Sequence, residues 1–182
     1  MKKPLLAFFI LFLFSSPVFA QTGTVQEQLI AHFGQIAAAL QCPQYAFSDM
    51  KGDKNSGLIE YLPEGQNLDS WTRMVTVNMF LLPQKKEQYT EYMKGLKQHL
   101  LSSFRSNAEV GEVMEGVHED GTPVLLMEYE TGEGDSREHA LAIYARFFSS
   151  VSAMMHLQVR GGKLSDQDRM AMKTLYADLI AK

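Results

Sequence analysis

One cysteine, one tryptophan and six prolines among 182 residues leave no material for a disulfide scaffold or a proline-rich linker. A lone Cys42 cannot pair within the chain, so the fold must be held by its core. Basic runs are also missing, with 17 Lys and Arg against 21 Asp and Glu and a formal net charge of −4. A chain without a basic patch has no electrostatic footprint for nucleic acid or anionic lipid, and neither is expected as a partner. Long apolar stretches are absent too, except at the N-terminus. That one, Leu5 to Phe14, is ten residues long, about half of the ~20 a membrane-spanning helix needs. No membrane anchor is expected.

What is present begins with an export signal. Lys2 and Lys3 form a charged head, Leu5 to Phe14 the apolar middle, and Ser15 to Ala20 a polar segment ending on Val18-Phe19-Ala20. This order is that of a secretory signal peptide, and it predicts cleavage between Ala20 and Gln21. A lipoprotein would carry a cysteine directly after that bond, whereas Cys42 lies well downstream. The expectation is an exported protein, periplasmic or extracellular. Residues 1–20 are its signal peptide and residues 21–182 one α+β domain with no internal repeat. Removing the signal leaves 162 residues and, with Lys2 and Lys3 gone, a formal charge of −6. That length suffices to bury roughly two-thirds of the unfolded surface.

Periodicity sets the elements. Val25, Leu29, Phe33, Ile36 and Leu40 recur at helical spacing, and Cys42-Pro43 closes that helix. Two short strands, about 45–50 and 58–62, flank the polar stretch Lys51 to Gly57, which has the composition of a hairpin loop. A strand from Arg73 to Leu82 follows, closed by Pro83, and then a helix of about 85–104 with Tyr89, Met93, Leu96, Leu100 and Phe104 as its apolar stripe. Strands over about 107–118 and 123–130 are joined by Asp120-Gly121, read as a two-residue hairpin turn. Two longer strands, about 138–148 and 151–159, precede a final helix that Ser165 and Asp168 open as a capping box. Connections this short between consecutive strands imply a largely antiparallel sheet of six to seven strands. Because several strands are apolar on both sides, helices should cover both faces. A hairpin, a third strand ending in Pro83, a long helix, a four-strand meander and a terminal helix together resemble the PsbP/Mog1-like fold of small exported proteins. The resemblance lies in element order alone and implies an architecture, not an activity.

Candidate chemistry is sparse. Gly134-Asp135-Ser136 with His139 three residues on is similar to the start of a Gly-Asp-Ser hydrolase block, but such blocks stand early in their chains and use an Asp-x-x-His pair near the C-terminus. No histidine follows His156, so the tripeptide reads as a turn and no catalytic residue is assigned. His32, His99, His118, His139 and His156 are scattered, none with a His or Cys at metal-ligand spacing. Asp53, Asn55 and Glu64 match parts of a calcium loop, but Leu58 stands where its glycine is needed. Met154-Met155-His156 suggests copper, yet adjacent strand residues point to opposite faces and cannot chelate together. No metal or cofactor is expected. Cys42 reads as a buried, inert thiol with no cation nearby.

The loop from Glu64 to Ser70 leading into Trp71-Thr72-Arg73 is the most suggestive stretch. A flat indole beside a planar guanidinium can form a recognition site, with Glu64 at its rim; alternatively, Trp71 plugs the end of the core. With no catalytic or metal constellation in a chain of ample size, the expected function is that of a non-enzymatic module that binds a protein or small ligand through one edge or end of the sheet. The alternatives are a hydrolase whose site is assembled from distant residues and a secreted bacterial effector.

Overall fold

The computed structural model describes residues 24–49, 56–83 and 85–181. Helix α1 spans Val25–Ala39. Thr24 caps it in a reciprocal box: its side chain accepts from the Glu27 backbone N–H, and the Glu27 carboxylate accepts from the Thr24 N–H at 2.6 Å. At the other end Gln41 takes a left-handed φ of 65°. The Gln41 N–H bonds the Ala38 carbonyl at 3.0 Å and the Cys42 N–H the Ala37 carbonyl at 2.8 Å. This paired closure ends the helix before Pro43 is reached.

Strands β1 (Gln44–Asp49), β2 (Ser56–Leu62) and β3 (Arg73–Leu81) come next. Helix α2 runs Lys86–Asn107, three residues beyond its apolar stripe. Strands β4 (Glu109–Val117), β5 (Pro123–Thr131), β6 (Glu138–Phe148) and β7 (Val151–Arg160) follow, with a 3₁₀ turn at Gly134–Ser136. Helix α3 is Asp166–Ile180, and Ser165 and Asp168 do form its capping box. The expected loop over Lys51 to Gly57 falls mostly outside the described residues, as does the signal segment; Gly57 itself lies in β2.

The seven strands of the described residues form one antiparallel sheet in the order β1-β2-β3-β7-β6-β5-β4. The fold is α+β, with helices on both faces. Under α1 and α3 lie Val75, Val77, Leu126, Ile143, Met155 and Leu157; under α2 lie Leu125, Met127, Tyr129, Ala142, Tyr144 and Met154. Met154 and Met155 thus sit in different cores, as strand alternation requires.

One turn differs from its reading. The β4–β5 connection is a three-residue loop, Glu119-Asp120-Gly121, bracketed by the His118 N–H donating to the Thr122 carbonyl at 2.9 Å. Only Gly121 has positive φ, at 83°, so the two-residue turn, which would also put Asp120 there, does not form. Asp120 instead turns its carboxylate onto the Thr122 N–H at 3.0 Å and hydroxyl at 2.7 Å, and pairs with Arg146. Among the described residues, no helix is long and apolar enough to cross a membrane.

Candidate functional site

Charged side chains gather at one end of the sheet, where β2, β5 and β7 finish and β3, β4 and β6 begin. Four arginines from different elements each find a carboxylate there. Arg73 at the start of β3 meets Asp168, Arg160 at the end of β7 meets Glu138, Arg137 before β6 meets Glu130, and Arg169 in α3 meets Glu128.

Trp71, Arg73 and Glu64 do not form one site. Trp71 is 6 % exposed and packs with Leu62, Met74 and Ala46 on the face that also carries α2. The Arg160 guanidinium lies over its ring, 3.9 Å from the centroid, and donates to Glu138 at 3.0 Å. From Glu138 a polar ladder continues inward: the Gln158 amide donates to Glu138 at 3.4 Å, and Thr76 Oγ1 donates to Gln158 at 2.8 Å. Arg73 faces the other side of the sheet. Its Nε donates to the Leu40 carbonyl at 3.0 Å and its two terminal nitrogens grip the Asp168 carboxylate, whose side chain is 6 % exposed. Burial raises the Asp168 carboxyl, but bonds from Arg73 and from the Ser165 N–H and hydroxyl outweigh it and hold the group below its ordinary range. Glu64 stands exposed in the turn after β2. Trp71 and Arg73 part because the strand begins at Arg73; Trp71, still in the loop, is not bound by the alternation that would put residues two apart on one face.

Cys42 is fully buried, as expected, but a cation does stand beside it: Arg73 reaches the thiol from β3. Burial wins over that positive charge and pushes the thiol up to about 11.

Two neighbouring clefts open at the same end. The larger, about 640 Å³, is bounded by Asn107, Glu109, Glu130, Gly132, Glu133 and Arg137. The smaller, about 370 Å³, lies between β4–β5 and α3, with Glu109, Glu112, Glu128, Glu130, His139 and Arg169 on its walls. In it His139 Nε2 is 2.7 Å from Glu128, and Arg169 binds the same carboxylate with two nitrogens at 3.1 and 2.7 Å. The Arg169 bonds hold Glu128 below the ordinary carboxylate range despite partial burial.

This pair resembles a catalytic dyad, but its carboxylate is shared with Arg169. Glu128 is already committed to Arg169 and is a poor base. With Nε2 facing Glu128, the remaining His139 nitrogen, Nδ1, is shut off from solvent and has no partner among the described residues. A general base must reach the proton it takes. Ser136 in the nearby Gly-Asp-Ser turn spends its hydroxyl on the Glu133 carbonyl at 2.7 Å. His156 is buried against Tyr129, its Nδ1 2.8 Å from the phenol oxygen. His32 packs edge-on against Phe148 at 4.7 Å, and His118 Nε2 approaches the Arg146 carbonyl at 3.3 Å. Among the described residues no three His, Cys, Asp or Glu side chains converge as a metal site. Asp53 and Asn55 lie outside those residues, and Leu58 belongs to β2.

Sequence reasoning did not single out Glu128, Glu138, Arg160 or Arg169. Their one signal was charge interrupting apolar strands, Glu128 and Glu130 at alternate positions of β5 and Glu138 at the head of β6. No protein-family model matches the chain, and no curated protein matches it in sequence, so its function must be argued from these residues.

Proposed function

We propose that this protein is an exported, non-enzymatic binding module that takes a protein or small ligand at the charged end of its sheet. The observation that carries the reading is the pair of adjoining clefts there, walled by side chains that the ion-pair belt holds in place. Glu109 and Glu130 wall both clefts, and Arg137 on the larger one, its side chain 55 % exposed, pairs with Glu130 and reaches Glu109 at 3.7 Å. Recognition favours such an arrangement, because pre-positioned polar groups cost little ordering on binding. The reading takes the chain as a further PsbP/Mog1-like architecture turned to binding, and residues 1–20 as its export signal.

Three measurements test it. Intact mass of the exported protein should correspond to a chain beginning at Gln21; a retained N-terminus or a lipid adduct overturns the export reading. Generic esterase, phosphatase, peptidase and glycosidase substrates should stay intact, and an activity abolished by His139→Ala or Glu128→Gln would establish an enzyme instead. A photo-crosslinking side chain placed at Arg137 should capture a partner in the native compartment. Capture from Val117 at the opposite end but not from Arg137 would move the site elsewhere.

A further inference from the structure

The two lateral edges of the sheet differ in charge. Strand β4 carries Glu109, Glu112 and Glu115 in nine residues, and Lys173 of α3 and Lys97 of α2 reach across to it. At the opposite edge, α1 and β1 together cover residues 25–49 with only two charged side chains, Glu27 and Asp49, in a chain that is 21 % charged. That edge also exposes Tyr45 at 46 % and Phe47 at 40 %. Depletion of charge combined with exposed aromatics is the compositional mark of an interface core. An edge strand also presents an open row of backbone donors and acceptors. β4 is guarded in the usual way, by charge and a bulge; β1 has only a bulge, between Tyr45 and Phe47.

From this edge we infer a homodimer, in which β1 of one copy pairs antiparallel with β1 of a second about a two-fold axis. Charge placement selects a second copy. Both charged residues of the edge lie toward one end of it: Asp49 closes β1, and Gln26, beside Glu27, bonds Ser48 at 3.5 Å. Antiparallel pairing about an axis between Ala46 and Phe47 sets Gln44 opposite Asp49 and Tyr45 opposite Ser48. The two Asp49 carboxylates then stand about 17 Å apart along a strand of ~3.4 Å per residue. No like charges meet, whereas β4 paired with itself would bring glutamates together. The bulge interrupts the backbone ladder, so α1 must add contact. Glu27 is the one Asp, Glu, Lys or Arg residue of that helix, and along the same stripe the Ile30 carbonyl accepts from Tyr61 and Gly34 lies against the Tyr61 ring. The union closes on itself, as an isologous interface does, and leaves the β4 edges at the two outer margins.

Sedimentation velocity of the mature chain over a concentration series should give twice the monomer mass. Phe47→Lys and Tyr45→Lys, at exposed positions on opposite faces of β1, should each return the monomer with unchanged far-UV circular dichroism and a thermal midpoint that no longer rises with protein concentration. Val117→Lys on β4 should leave the dimer intact. A monomer at every concentration, or a dimer that persists in the β1 variants, overturns the inference; if one β1 variant fails to fold, the other decides.

Discussion

Acidification from about pH 7 to about pH 4 should cost this protein roughly 3 kcal/mol through His156 alone. The ring is buried between β3 and β6, bonded to Tyr129 and flanked by Phe104 with ring centroids 6.0 Å apart. Burial disfavours the imidazolium and pushes the group down from 6.5 to about 4. In the unfolded chain the same histidine takes a proton near its ordinary value, so over the interval between 6.5 and about 4 the unfolded state binds a proton that the folded state refuses. The stabilisation is complete above 6.5, falls as pH drops through the interval, and is spent at the folded value. A shift of about 2.5 units at ~1.4 kcal/mol each gives the magnitude, a large part of a typical domain's ~5–15 kcal/mol. The assay is urea unfolding at a series of pH values for the parent and for His156→Gln. Carboxylates titrate alike in both, so the difference between the two curves isolates the histidine. The parent should lose about 3 kcal/mol more than the variant over the interval. Parallel curves would show that the imidazole is solvated or charged in the native state, and the reasoning would fall.

Other substitutions probe the charged end. Arg73→Ala strands the buried Asp168 carboxylate and should lower stability by about 3–5 kcal/mol in denaturant titration; a loss below ~1 kcal/mol would mean that Asp168 is hydrated. Trp71→Ala empties the small cluster with Leu62 and Met74 and should cost ~3–5 kcal/mol, and parent fluorescence should be blue-shifted and poorly quenched by iodide. A freely quenched Trp71 would return the loop from Glu64 to Arg73 to first place as a binding site. Cys42 should react slowly with a thiol reagent in the folded protein and quickly in urea, and fast native labelling would contradict its burial.

Much of this architecture was legible because it depends on short-range chemistry. Ser165 and Asp168 announce a helix start from three residues apart, and the structure forms that box with the Asp168 N–H donating to Ser165 Oγ at 3.2 Å. Alternation along 151–159 assigned Met154 and Met155 to opposite faces without knowledge of either neighbour strand. The charged end was not legible, since three of its four pairs close over long separations: Arg73 with Asp168 is 95 residues apart, Arg169 with Glu128 is 41 and Arg160 with Glu138 is 22. Cys42 shows the same limit. Its sequence neighbours hold no cation, and the guanidinium beside it arrives from β3. The Asp120-Gly121 turn failed for a local reason: Asp120 prefers to bond the Thr122 N–H from its side chain over adopting positive φ.

The place of β7 in the sheet has a consequence for how the chain is made. β3 finds its second neighbour only in β7, which is the last strand in the sequence and pairs with β3 from Arg73 opposite Val159 to Leu81 opposite Val151. Until residue 151 has left the ribosome, the first three strands and the next three are two unjoined sheets, and the seam that unites them is the final one to close. A polypeptide whose central seam waits for its seventh strand cannot join its two half-sheets before that strand has been made. Up to that point each half-sheet exposes, along β3 or β6, an unpaired backbone edge that only the late strand can cover.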